Sequence, residues 1–159
     1  MTDSPKPPSG GRRHVSYGSF EEVLQDAESL MKHPHMTLGN WSFGKILQHL
    51  ADAVDSSFDG FGFRMNLLIR IFGTLFLKNR IIERSFPVGL KLPKRAESLL
   101  PPDDVDVAEG FANLKRALAR FDSEDPSAYH PTFGYLSRTE WIRLHLNHCA
   151  MHMTFVRPT

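Results

Sequence analysis

At 159 residues, with 41% hydrophobic and 23% charged residues, the chain has material for one domain with a buried core and too little length for two. A formal net charge of +1 excludes strong electrostatic steering toward nucleic acid. The lone cysteine, Cys149, excludes an intrachain disulfide and a multi-cysteine zinc site, so any metal must be held by histidines and carboxylates.

Residues 1–17 read as a disordered leader. The stretch Met1 to Arg13 is rich in Pro, Ser and Gly and lacks the apolar run of a secretory signal, which leads us to expect a cytoplasmic protein whose single folded domain spans 18–159. Ser19 and Glu22 form a Ser-x-x-Glu capping box, and Phe20, Val23, Ala27 and Leu30 follow at helical spacing, so a first helix is predicted from Ser19 to His33. A second starts after Trp41 with Ser42 as its cap and carries Phe43, Ile46, Leu50, Ala53 and Val54 along one stripe as far as Gly60. Residues 62–82 are the most apolar stretch. They are interrupted by Arg70 and Gly73 and bounded by Arg64 and Lys78, short of the ~20 uninterrupted apolar residues that span a bilayer, so a third helix packed on the main body is predicted.

Pro87, Gly89, Pro93, Pro101 and Pro102 mark a long crossover. A helix follows from about Asp104 to Phe121, with Val107, Phe111, Leu114, Leu118 and Phe121 on a bundle-type stripe and an acidic start that suits the helix dipole. Ser137 and Glu140 make a second capping box that opens the last helix. No segment alternates with period two between hairpin turns, so essentially no sheet is expected and the fold class is all-α, a helical bundle with the 62–82 helix inserted between its second and third helices. Between residues 62 and 95 the basic residues Arg64, Arg70, Lys78, Arg80, Arg84, Lys91, Lys94 and Arg95 are opposed by Glu83 alone, and from Glu97 to Asp125 the balance reverses. A basic face paired with the acidic helix is the expectation, with an acidic substrate or an anionic membrane surface as alternatives.

The last helix carries His145, His148 and His152 on the side shared with Trp141, Ile142, Leu146, Cys149, Met153 and Val156, while Arg143, Asn147 and Thr154 lie opposite. His148 and His152 stand at i, i+4, which places two imidazoles about one turn apart on one face, as two ligands of one ion require. The same spacing suits core histidines bonded to backbone carbonyls, so a third ligand decides the matter. His49, the only histidine inside the second helix, is that candidate. Three histidines from two helices leave open positions for water or substrate, and imidazole ligands suit zinc, nickel, iron and copper alike. Cys149 and Asp52 read as a buried inert thiol and a solvated carboxylate, and Trp41 and His130 as structural residues.

The run Trp41-Ser42-Phe43-Gly44-Lys45-Ile46-Leu47-Gln48-His49-Leu50, the segment His130-Pro131-Thr132-Phe133-Gly134-Tyr135-Leu136-Ser137, then Glu140-Trp141 and His148 to His152, resembles the DinB-like superfamily, closest to a branch of undefined function. The resemblance implies an up-down-down-up four-helix bundle and a divalent metal, zinc or nickel, held by His49, His148 and His152. His145 then moves to a supporting or proton-accepting role as the catalytic candidate. In many relatives a glutamine follows the second histidine of the pair, whereas Phe155 stands near that place here, so the polar contact made there does not carry over.

The resemblance further implies a metal-dependent enzyme acting on a small molecule, S-transferase-like with a low-molecular-weight thiol as co-substrate, or hydrolase-like. The competing expectation is a non-catalytic bundle, a stress-associated or binding module with a vestigial or core histidine cluster. As partners, a small-molecule substrate is expected, with no nucleic acid, no transmembrane segment and a homodimer left open.

Overall fold

The computed structural model describes residues 11–84, 86–89 and 94–159; the leader's first ten residues, Lys91 and the side chain of Arg95 lie outside the described residues. Helix α1 (Phe20–Lys32) starts where Ser19 Oγ accepts from the Glu22 amide, and the Glu22 carboxylate accepts from the Gly18 amide one residue before the cap. Helix α2 (Phe43–Asp59) is capped by Ser42 and ends at Gly60, whose φ of 98° suits glycine. The inserted stretch is helical over α3 (Leu67–Phe72), a π-helical segment Gly73–Leu77 and α4 (Lys78–Glu83). Helix α5 (Val107–Ala119) begins at Asp106, and α6 (Arg138–Met153) at the complete Ser137–Glu140 capping box.

The directions of the helices follow from which residues meet. The Phe20 and Phe121 rings lie 5.1 Å apart, so the start of α1 sits beside the end of α5. Helices α2 and α5 run parallel: Gly44 faces Gly110, Gln48 accepts from Asn113, and Asp55 and Asp59 bind Arg120 in that order. Helix α6 opposes α2, with Phe61 stacked on Trp141 at one end and Trp41 on His152 at the other. The core between them holds Val23, Ile46, Leu47, Leu50, Val54, Leu114, Trp141 and Met153.

These directions make the bundle up-down-down-up, and the all-α fold carries one short antiparallel sheet among the described residues: β1 (His35–Thr37) pairs with β2 (Val156–Pro158), which ties the chain leaving α1 to the chain leaving α6. Residues 13–17, expected within the leader, touch the folded domain: Arg13 binds Asp26 at 2.8 Å, Tyr17 donates to Asp26, and Val15 and Tyr17 pack on the core. Asn147, expected on the polar side of its helix, donates to the carbonyls of Ile81 and Ile82 at 2.8 Å each and so pins α4 to α6.

Nor does the basic run face the acidic helix among the described residues. Lys78 pairs with Glu140 at 2.8 Å and Arg70 bonds the Tyr129 hydroxyl, while α5 uses its own Arg116 and Arg120 against α2. Helix α3 and the π segment leave an apolar face exposed, Leu68 at 79% and Phe76 at 66%. Among the described residues no helix is long and apolar enough to cross a membrane.

The α2–α5 contact depends on two glycines. A Cβ on Gly44 would collide with the Val105 carbonyl, and one on Gly110 would lie 2.7 Å from the Gly44 oxygen and 3.1 Å from Leu47 Cβ. In an unconstrained helix glycine to alanine stabilises by about 0.5–1 kcal/mol. Here the sign reverses: Gly110→Ala is expected to destabilise by about 1–3 kcal/mol, read as a lower urea midpoint at unchanged slope. A midpoint at or above that of the parent would show that the helices part without cost.

Candidate metal centre

His49 sits in the middle of α2, His148 and His152 on the last two turns of α6, and the antiparallel crossing of the two helices brings the three rings together. One ring nitrogen from each lies within 4.8 Å of the other two. The Nε2 atoms of His148 and His152 are 3.1 Å apart. Two nitrogens bound at about 2.0–2.1 Å to one ion stand about 2.8–3.4 Å apart for octahedral to tetrahedral angles, so this pair has ligand spacing as it stands. The third ring is oriented from outside. His49 Nδ1 donates to the Leu99 carbonyl at 3.1 Å, which places its proton on Nδ1 and leaves Nε2 a free lone pair.

Burial keeps the cluster neutral. Desolvation lowers the pKa of His49, pushes His148 well below the ordinary histidine value, with the neighbouring imidazoles adding to it, and takes His152 down to about 3. Neutral imidazole is the ligating form. The donor set, the 3.1 Å pair and the fixed tautomer of His49 therefore suit a divalent transition metal, with the three histidines as the residues that would hold it.

The rings sit in an apolar frame. Trp41 stacks on His152 at 5.5 Å and meets His49 edge-on at 5.0 Å, and Phe86 covers His148 at 4.8 Å. On one side the histidines line a cleft of about 690 Å³ with Asn40, Trp41, Val88, Met151 and Phe155. Phe155 thus occupies part of the cleft wall, where its ring supplies no hydrogen bond.

Trp41, Phe86 and the Leu99 carbonyl are the site components that sequence reasoning missed. From the sequence Trp41 reads as structural, although its place one residue before the cap of the helix carrying His49 is a usable signal. Phe86 and Leu99 lie on the crossover, where no periodicity points a residue anywhere, and a backbone carbonyl leaves no trace in side-chain identity.

The other candidates fall outside the cluster. His145 is buried, stacks on Trp141 at 5.5 Å, and forms no hydrogen bond with His148, His152 or Cys149 among the described residues. Burial lifts the Cys149 thiol to about 12, which makes it unreactive at neutral pH. Asp52 accepts from Gln48 at 2.7 Å, within a chain that begins at Asn113. His130 Nδ1 accepts from the amides of Thr132 and Phe133, as a loop-fixing residue should.

Burial holds both His130 and His145 at about 3, against 6.5 in the unfolded chain. Below pH 6.5 the unfolded chain takes up protons that the folded one refuses, so stability is complete above that pH and falls as the pH descends toward 3. The metal-free protein is expected to lose its helical circular dichroism cooperatively within this window. His145→Leu removes one of the groups and should move the midpoint to lower pH; an unmoved midpoint would mean that His145 is not held neutral.

No curated protein and no solved structure matches the chain. One family, described as a protein of unknown function (DUF1569), matches residues 10–159, which takes in α1 to α6, β1 and β2 together with the three clustered histidines. The chain is therefore a member of the DUF1569 family.

Proposed function

We propose that this chain is a metal-dependent enzyme acting on a small molecule, S-transferase-like with a low-molecular-weight thiol as co-substrate or hydrolase-like, and that its family lies within the DinB-like superfamily. The observation that carries the reading is the convergence of three neutral imidazoles at one wall of an open cleft. A divalent ion bound there supplies acidification of a thiol or water, so that the nucleophile exists at neutral pH. His49, His148 and His152 hold and orient, and Trp41 and Phe86 shield the rings from bulk water. His145, set behind the cluster, is the supporting residue of this reading, since burial that holds it at about 3 makes it a weak proton acceptor at neutral pH.

A second reading, a non-catalytic module, is favoured by the absence of any charged side chain among the described lining residues of the cleft. One experiment separates the two. Cobalt, zinc and nickel are titrated into chelator-treated protein, and the loaded forms are then assayed against paired thiols and electrophiles and against hydrolysable esters and amides. About one ion per chain is expected, with tetrahedral or five-coordinate cobalt absorption, and His148→Ala should abolish it. A protein indifferent to all three ions overturns the metal centre. A loaded protein that turns over none of the compounds supports the non-catalytic module.

We also assign a homodimer to the exposed face of α3 and the π segment, where Leu67, Leu68, Ile71, Phe72, Leu75 and Phe76 are uncovered and a second copy offers the same apolar surface. Sedimentation equilibrium is expected to give twice the chain mass, falling to the monomer in Phe72→Glu/Phe76→Glu. A parent protein that is monomeric alone but sediments with anionic vesicles at low salt would transfer the face to a membrane surface, consistent with the exposed Arg64, Arg80 and Arg84 nearby.

A further inference from the structure

Behind the histidines lies a second cavity, of about 280 Å³. It shares His49, His148, Phe86 and Pro87 with the outer cleft. The order along the helices places the two chambers on opposite sides of the ring cluster. On α6 the inner chamber takes Trp141, Leu144 and His145, before His148, and the outer takes Met151 and His152, after it. On α2, Ile46 borders the outer chamber and Ala53 the inner, with His49 between.

Neither chamber has a Lys, Arg, Asp or Glu in its wall among the described residues, and the inner wall is built from aromatic and aliphatic side chains, Phe61, Phe63, Phe133 and Trp141 foremost. Its polar groups are imidazoles, the Trp141 indole N–H and the Thr132 hydroxyl. His130 has committed Nδ1 to two backbone amides, so its proton resides on Nε2 and the ring is a donor. An ion placed in such a chamber would lose its hydration without gaining a countercharge. An uncharged apolar molecule meets no such penalty and gains contact with the aromatic rings of the wall.

We propose that this inner chamber binds a small, uncharged, ring-bearing molecule with one hydrogen-bonding oxygen. That this molecule is the substrate rests on the enzymatic reading above; its binding does not. On that reading the reacting partners meet at the histidines from two sides, the nucleophile from the outer cleft and the apolar molecule from the inner one.

Trp41→Phe leaves Trp141, in the inner wall, as the only tryptophan. Metal-free and zinc-loaded forms of this variant are titrated with benzyl alcohol, benzylamine and benzoate, which share a shape and differ in charge. Benzyl alcohol is expected to change Trp141 emission saturably in both forms, and the two ions, at ten times its midpoint concentration, to leave it unchanged. Ala53→Leu, which fills the chamber, should weaken benzyl alcohol at least tenfold, and Leu77→Phe serves if that variant does not fold. No saturable response, an equal response to the ions, or indifference to the filling substitution overturns the proposal. A protein that binds benzyl alcohol but no zinc loses only the metal centre, and one that binds zinc but not benzyl alcohol loses only the chamber.

Discussion

Gly44 and Gly110 let α2 and α5 approach until the backbone of one occupies the place of a side chain on the other, and they do so with the helices parallel. Parallel neighbours cannot be joined by a short turn, because the chain must return the length of the bundle before starting again. Residues 60–106 make that return, and what they meet on the way defines the site. The Leu99 carbonyl reaches His49, Phe86 reaches His148, and Met65, Leu77 and Ile81 close the inner chamber. At the far end Arg120 binds Asp55 and Asp59, partly exposed pairs that hold register more than they add stability.

The second constraint is polar. Burying several imidazoles in one end of a bundle is unfavourable unless each is neutral and bonded. His49 and His130 have backbone partners, and the Nε2 atoms of His148 and His152 face each other at 3.1 Å, where a bound ion would take both. His145 Nε2 and Trp141 Nε1 have none, and with Arg70 Nε they are the buried unpartnered side-chain atoms among the described residues. Both rings are buried and also border the inner chamber, so the cost falls on side chains shared by the core and the proposed ligand site.

Local signals were readable where one residue acts on its own backbone. Ser19, Ser42 and Ser137 each cap the helix expected of them, and Gly60 ends α2 as expected, because a hydroxyl beside a free amide or a glycine at positive φ needs no distant partner. The insertion was harder. Helix begins at Leu67 behind Asn66 instead of at residue 62, since the apolar run continues through Phe61 and Phe63, which are loop residues packed inward rather than helix. Residues 35–37 and 156–158 are too short to show an alternation, and their pairing exists only because two parallel helices end side by side.

The sequence by itself determined the helical bundle, its caps and the three histidines, because helix periodicity and i, i+4 spacing are properties of one strand of chain. Tertiary structure alone decided that Trp41 and Phe86 cover those rings, that a Leu99 carbonyl sets the tautomer of His49, that His145 faces a separate chamber, and that Asn147 clamps α4. Each of these is a meeting of residues far apart in the chain, made by helix crossings and by the path of a long return segment. No local pattern encodes such a path, since backbone carbonyls carry no residue identity and an aromatic side chain in a loop has no period to aim it.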